Sequence, residues 1–262
     1  MDLLHVKDDA LPLDKLRNTL IRLEDTIIFA LIERAQFTRN ARIYEPGAFP
    51  FVDGYNGSFF SYFLAEVEKV HAKVRRYESP DEYPFTNKLP SAILPKLNYP
   101  PTLHANTVNI NDQVLSAYLK HIIPGLCRDA DDENYGSAAT RDIECLQALS
   151  RRIHYGKFIA EAKYREDPAG YAQLIRAGDR AAIEARLTVP AVEARLLRRL
   201  RRKAMIYGQD IGDEEETAAN AGSPDGRPLK INLDLVVELY ERFVIPLTKV
   251  VEVEYLMQRL DD

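Results

Sequence analysis

Hydrophobic residues recur along this chain with the three-or-four spacing of helix faces. No stretch of useful length alternates as a half-buried strand would. The first clear helix face comprises Leu16, Leu20, Leu23, Ile27 and Leu31. The pattern predicts an all-α fold, in the form of a single-domain multi-helix bundle of about ten to twelve helices that spans residues 1–262.

Several helices can be placed individually. One is predicted from Ser58 to Tyr77, and a long one from near Ser137, as its cap, towards Arg165. Another is predicted to be capped by Asn111. The last helix is predicted over residues 233–260, with a kink at Pro246. The apolar stripe expected on the helix that begins after Ser58 consists of Phe59, Phe63, Val67, Val70 and Val74.

Two segments break the helical pattern. Six prolines lie between Pro80 and Pro101, so residues 80–110 are predicted to form an extended, proline-rich connector. Residues 209–229 combine acidic residues with a Gly-Ser-Pro-Asp-Gly run and are predicted to form a flexible surface loop.

Composition narrows the class of protein. The chain has 262 residues and a formal net charge of -5, which argues against general nucleic-acid binding because such binding needs an excess of Lys and Arg. No segment reaches the roughly 20 apolar residues of a membrane span, and the first residues lack the apolar core of a signal peptide. A soluble cytoplasmic protein with no membrane partner is the expectation. Cys127 and Cys145 lie in apolar helical patterns and are predicted to be buried, reduced thiols.

The usual motifs of metal, nucleotide and nucleophile chemistry are absent from the sequence, so no metal site and no cofactor are predicted. An enzyme built on this chain would rely on electrostatic stabilisation of a bound anion. The basic run Arg195–Lys203 offers a different interpretation, binding to RNA or to an acidic membrane surface. A solvated helix face is favoured, because the chain is acidic and lacks a stacking pattern of aromatic residues near this run.

Four blocks carry a resemblance to a known family. They occur in family order, and the similarity spans about residues 10–260, with residues 209–227 as the variable part. The blocks are Leu23–Phe29, Val74–Glu82, Thr140–Lys163 and Ile245–Leu256. The chain resembles the all-helical, allosteric chorismate mutases of fungi. The resemblance implies rearrangement of chorismate to prephenate, in phenylalanine and tyrosine biosynthesis, without a cofactor.

The resemblance also assigns roles to single residues. Arg17 and Arg152 match the two arginines that bind the substrate carboxylates, and Lys163 matches the lysine at the ether oxygen. Glu252 matches a glutamate that donates a hydrogen bond to the same oxygen, which only its protonated form can do. Glu193 matches the residue that binds a substrate hydroxyl, and Thr248 a supporting contact.

One position departs from the family pattern. Val189 stands where the family usually has an asparagine, and valine cannot make that hydrogen bond. The departure argues mildly for the alternative that this is a non-catalytic interaction protein which kept the fold. Retention of the six residues named above argues against that alternative.

The resemblance further implies a homodimer that is inhibited by tyrosine and activated by tryptophan at a site between subunits. Arg75 and Arg76 match the effector-binding arginines on one side of that site. The residues that match the opposite side are Asn134, Gly136, Ser137 and Thr140.

Overall fold

The computed structural model describes residues 3–4, 12–51, 54–209 and 229–260. Within these ranges the chain is all-α, as predicted, and the only pairing of β type is an isolated bridge between Gln209 and Leu229. The α-helical segments are α1 (Leu13–Ala35), α2 (Phe59–Lys73), α3 (Asn111–Ala117), α4 (Ile123–Leu126), α5 (Tyr135–His154), α6 (Gly156–Glu166), α7 (Pro168–Ala177), α8 (Arg180–Leu187), α9 (Pro190–Tyr207), α10 (Leu233–Leu239) and α11 (Ile245–Met257).

Three junctions between these segments are continuous. A π turn, Tyr118–Ile122, joins α3 to α4, a second, Tyr240–Val244, joins α10 to α11, and α5 abuts α6 at Tyr155. Eleven segments with three such joins make eight helices in the described part of the chain. The predicted number, ten to twelve, was therefore too high.

Each π turn is followed, after one intervening residue, by a proline. Pro124 and Pro246 each occupy the second position of the segment that comes after the turn. Proline has no N–H to give to the carbonyl four residues earlier, and its ring collides with that carbonyl in a regular α-helix. Widening the preceding turn relieves the collision, so the kink predicted at Pro246 takes the form of a π turn.

The predicted stripe of α2 is correct only in part: Phe59, Phe63 and Val67 are partly buried against the core, and the other two members are not. Ser58 does cap this helix, since its hydroxyl accepts a hydrogen bond from the Ser61 N–H, but Val70 and Val74 are both more than half exposed. The helix carries a second apolar face, shifted by one residue, and that face enters the core. Its buried members are Phe60, Leu64, Glu68 and Ala72. Glu68 can be buried because its carboxylate accepts hydrogen bonds from the backbone N–H groups of Phe85 and Thr86.

The helix starts predicted at Ser137 and Asn111 are also corrected. Segment α5 begins two residues before Ser137, with Asn134 at the cap position and no side-chain capping bond. Segment α3 has Ile110 at its cap position. Asn111 lies in the first turn and donates instead to the Tyr83 and Pro84 carbonyls, which fastens the connector to the bundle.

The long helix predicted from near Ser137 towards Arg165 is interrupted at one residue. Segment α5 ends at His154, and α6 starts at Gly156 after the junction residue Tyr155. Helix α1 packs along α5, α11 packs against α5, α6 and α8, and α9 lies between α1 and α10. These contacts place five segments, α1, α5, α6, α9 and α11, around one interior space.

Ion pairs hold α9 against α1. The buried Glu24 carboxylate accepts two hydrogen bonds from the Arg199 guanidinium and lies 3.2 Å from the Lys203 ammonium. Lys203 also lies 2.6 Å from Asp25. Members of the basic run Arg195–Lys203 thus bind acidic residues of the same chain, as a helix face packed in the bundle does.

Residues 79–110, all described, contain no helix or strand, in line with a connector. Of the loop predicted over 209–229, residues 210–228 lie outside the described residues. Cys127 and Cys145 are buried free thiols, as predicted. Within the described ranges, no helix is long and apolar enough to cross a bilayer.

Candidate active site

A cavity opens where α1, α5, α6, α9 and α11 meet. It encloses about 790 Å³ when counted out to its open mouth. All six residues predicted to contact substrate line it. Its polar lining consists of Arg17, Arg152, Lys163, Glu193, Thr248, Lys249 and Glu252. The rest of its wall is apolar and comprises Leu13, Leu20, Ile159, Leu187, Val189, Val192, Leu196 and Ile245.

Arg152 forms the deepest cationic point of the cavity. It lies near the end of α5 and is only 4% exposed. One terminal nitrogen approaches the Thr248 hydroxyl at 3.4 Å, and the Nε atom is buried without a hydrogen-bond partner among the described residues. A buried guanidinium with an unused donor is suited to a carboxylate ligand, which takes two parallel hydrogen bonds.

Arg17 stands at the mouth of the same cavity. Its side chain projects from the second turn of α1, is 50% exposed and pairs with Asp14 at 3.4 Å. Asp14 is itself almost fully exposed, so this pair contributes little to stability. The guanidinium is therefore available to a second anionic group of a ligand.

Lys163 and Glu252 face each other across the cavity floor. Burial raises the pKa of Glu252 to about 7, although Lys163, Arg152 and Lys249 lower it in part. Burial also lowers the pKa of Lys163, an effect that the charge of Glu252 opposes. The Lys163 ammonium is oriented by a hydrogen bond to the Leu187 carbonyl. Near neutral pH the floor therefore offers a cation beside a carboxyl group that is partly protonated and able to donate.

Gly156 lets α6 and α11 approach closely enough to form this floor. A Cβ atom at this position would lie 3.0 Å from Glu252 Cγ, 3.0 Å from Thr248 Cγ2 and 3.2 Å from the Thr248 carbonyl oxygen. The last contact is with backbone, which cannot rotate away. Glycine here is favoured by the close packing that brings the α11 side chains near Arg152.

The remaining wall is built by the first turn of α9. Glu193 lies there and pairs with Lys249 of α11 at 2.9 Å. Val189, at the cap position of α9, is 44% exposed and provides no polar atom, while Thr188 donates to the Glu184 carbonyl. Lys249 was missed from the sequence. Its position three residues before Glu252 places the two side chains on one side of α11, but this spacing does not reveal the partner Glu193.

A comparison with known proteins identifies the family. The sequence-family model named chorismate mutase type II matches residues 134–253. A chorismate mutase from Schizosaccharomyces pombe is 49% identical over 256 residues, which cover 97% of this chain and 98% of the relative. The chain belongs to the chorismate mutase family.

Solved chorismate mutase structures share the whole architecture. Aro7p chorismate mutase from Candida albicans, in complex with L-Trp, has a TM-score of 0.91 at 41% identity and is matched over 100% of this chain and 96% of its own. AtCM1 with tyrosine bound in its allosteric site has a TM-score of 0.84 at 44% identity, over 98% and 99% of the two chains.

The residues that the family resemblance assigned to an effector site lie apart from the cavity. Arg75 adopts a left-handed backbone conformation, with φ of 69°, after α2 and donates to the Pro95 carbonyl. Arg76 pairs with Glu82 at 3.1 Å and donates to Gln147 of α5 at 2.7 Å. The groove that Arg76 lines includes none of the predicted residues at the start of α5, in the described part of the chain. Those residues are Asn134, Gly136, Ser137 and Thr140, and the Thr140 hydroxyl donates to the Gly136 carbonyl.

Proposed function

We propose that this chain rearranges chorismate to prephenate in the cavity described above. The observation that carries the proposal is the buried guanidinium of Arg152 above Glu252 and Lys163, with Arg17 at the mouth. Two separated guanidinium groups suit a small dicarboxylate. The lysine and the neutral acid suit an ether oxygen that gains negative charge.

The reaction is a rearrangement within one molecule. One C–O bond breaks while one C–C bond forms, so no proton transfer, covalent intermediate or cofactor is required. The task of the protein is to hold a flexible dianion in its compact reactive shape and to stabilise the charge that develops on the ether oxygen. Arg17 and Arg152 bind the carboxylates, Lys163 and protonated Glu252 donate to the oxygen, and Glu193 accepts from the substrate hydroxyl. Thr248 supports Arg152.

The test is a chorismate-depletion assay on the purified chain, with prephenate identified by chromatography. Wild-type chain is expected to convert chorismate, and Arg152→Ala is expected to convert almost none at equal concentration and equal melting temperature. Absence of turnover by the wild-type chain would overturn the proposal in favour of a non-catalytic relative.

We also propose that the chain forms a homodimer that tyrosine inhibits and tryptophan activates. Arg75 and Arg76 of one subunit would face Asn134, Gly136, Ser137 and Thr140 of the other. Relatives solved with L-Trp and with tyrosine in an allosteric site support this proposal. The start of α5 would bind the effector and its end carries Arg152, so a shift of this helix couples the two sites.

Thr140→Ile tests the effector proposal. The variant is expected to retain basal turnover and to lose most of the tyrosine inhibition, because the larger side chain removes the hydroxyl from the start of α5. Unchanged inhibition would remove Thr140 from the site. Light scattering on the eluting peak of a sizing column tests the dimer, with a single-chain mass as the contrary result.

Residues 1–262 are further proposed to act as one domain. One hydrophobic cluster that includes Ile27, Leu149 and Leu256 supports this, since it joins α1, α5 and α11. The cytoplasmic location stays a prediction. Several relatives at 45–49% identity are named as chloroplastic enzymes.

A further inference from the structure

Lys249 is a cation of the cavity wall with no role in the mechanism proposed above. It projects from α11 on the side of Thr248 and Glu252, and its ammonium lies 2.9 Å from Glu193 Oε1 on α9. The pair is partly buried, with 21% of the Lys249 side chain and 32% of the Glu193 side chain exposed. The contact joins α9 and α11, two helices that are far apart in the sequence, at the cavity wall.

We propose that Lys249 is a positioning residue that fixes Glu193 as an ionised acceptor for the substrate hydroxyl and provides the cavity with its fourth positive charge. The inference rests on the proposed function. It identifies how this chain builds a polar contact on a wall where Val189 offers none.

Glu193 needs such a partner for two reasons. An ionised carboxylate that faces a dianionic ligand is repelled by it, and Lys249 offsets this repulsion from a distance of 2.9 Å. A free glutamate side chain also samples many rotamers, and the ion pair restricts it to the one that faces the ligand. The first turn of α9 adds its own preference for a negative charge at this position.

The charges that line the cavity show how much depends on this one lysine. Arg17, Arg152, Lys163 and Lys249 are cations, and Glu193 is an anion. With Glu252 protonated, the empty cavity carries three net positive charges, and a bound dianion leaves one. Without Lys249 the cavity with its bound dianion would have no net charge. If Glu252 were also ionised, the net charge of that occupied cavity would be negative.

Lys249 also affects the acid on the cavity floor. The charged and titratable groups that face Glu252 are Lys163 of α6, Arg152 of α5, Lys249 of α11, Glu193 of α9, Arg17 of α1 and Tyr171 of α7. The cations favour ionised Glu252, and Glu193 opposes ionisation. Removal of Lys249 takes away one of those cations and leaves Glu193 unneutralised. Both changes favour the protonated acid, so the active form should persist to higher pH.

The experiment compares Lys249→Met, Lys249→Arg and Arg180→Met with the wild-type chain. Lys249→Met is expected to raise KM for chorismate about 10-fold, because a partly desolvated charge contact is lost. It is also expected to move the alkaline fall in kcat upwards by about 0.5 to 1 pH unit. Lys249→Arg should restore both values towards wild type. These two readouts separate positioning from packing, because a packing defect does not move a pH profile.

Arg180→Met is the matched control. Arg180 of α8 forms an ion pair with Glu254 of α11, and neither residue lines the cavity. Loss of Arg180 should leave KM and the pH profile unchanged. The inference is overturned if Lys249→Met keeps wild-type KM and pH dependence, or if Arg180→Met reproduces its effects. Wild-type turnover in the same assay keeps these outcomes distinct from failure of the proposed function, which would remove the inference as well.

Discussion

The cavity has two halves with different surroundings. The inner half consists of Arg152, Lys163 and Glu252, on α5, α6 and α11, and the outer half consists of Arg17 and Glu193, on α1 and α9. Arg152 is almost wholly buried, whereas half of the Arg17 side chain meets solvent. Burial shifts the pKa values of Lys163 and Glu252 in the inner half. The two arginines thus present the same functional group in very different surroundings: Arg152 in a buried, low-dielectric region and Arg17 next to solvent.

If the proposed function holds, this contrast should separate acceleration of the reaction from binding of the ligand. Charge interactions are screened in water and strengthen where water is excluded. Groups of the inner half can therefore stabilise charge as it develops in the transition state, which appears in kcat. Groups of the outer half act on the ligand while it is still partly hydrated, which appears mainly in KM.

The largest effect is expected from the inner arginine. Arg152→Ala should lower kcat/KM about 1,000-fold, because it removes a buried charge-assisted contact and leaves nothing to replace it. Steady-state kinetics with chorismate measures this, and circular dichroism of the variant checks that the fold survives. A loss below about 10-fold would show that the two halves do not differ in this way.

The second effect concerns the acid of the inner half. In the proposed mechanism Glu252 acts in its protonated form. Since its pKa is raised to about 7, activity should be present below pH 7 and should be lost as pH rises through that value. A bound dianion moves the loss to somewhat higher pH. Above the turning point kcat should fall about 10-fold per pH unit. Glu252→Gln, which donates at every pH, should be flat from about pH 6 to 8, and an unchanged fall in that variant would assign the titration elsewhere.

A smaller effect is expected at the mouth. Arg17→Ala should raise KM about 10-fold and leave kcat within a factor of about three, because solvent replaces part of the lost contact. The effect of added salt on KM should also be weaker in the variant, since an exposed charge is screened most. A fall in kcat as large as that of Arg152→Ala would show that the inner and outer halves contribute to the reaction in the same way.

The smallest effect is expected at Val189, which lines the outer half of the cavity with an apolar side chain. Val189→Asn returns a hydrogen-bonding side chain to the cap position of α9, where it also favours the start of the helix. KM should fall by a factor of about two or three. Val189→Thr serves as the matched control of similar shape. An increase in KM would show that the apolar wall is itself adapted to the ligand.

Helical periodicity predicted the bundle well but could not choose between two apolar faces. On α2, Phe59 and Phe60 begin stripes of nearly equal quality, and the buried one contains Glu68. The desolvation cost of burying this glutamate is offset by hydrogen bonds from backbone N–H groups of the connector, and no local sequence pattern encodes these bonds. The break at Tyr155 was also unmarked, because Gly156 signals packing as readily as it signals the end of a helix.

The site was predicted through the resemblance rather than through the pattern. Arg17 and Lys163 alone resemble ordinary surface cations, and only the family resemblance assigned them to a ligand. Lys249 escaped because its partner Glu193 lies on another helix, so the pairing exists only once α9 and α11 are packed. Long-range pairs of this kind are invisible to spacing rules.

The π turn at Tyr240–Val244 gives the last helix a tolerance in length. It holds one residue more than an α-helical turn would, so loss of one residue there, together with Pro246→Ala, restores ordinary geometry without reorienting the downstream part of the helix. The same deletion between Lys249 and Glu252 would swing the carboxyl about 100° around the axis. A change of one residue in the chain length is thus tolerated in the π turn before the cavity, because the side chains of α11 that line the cavity keep their orientation.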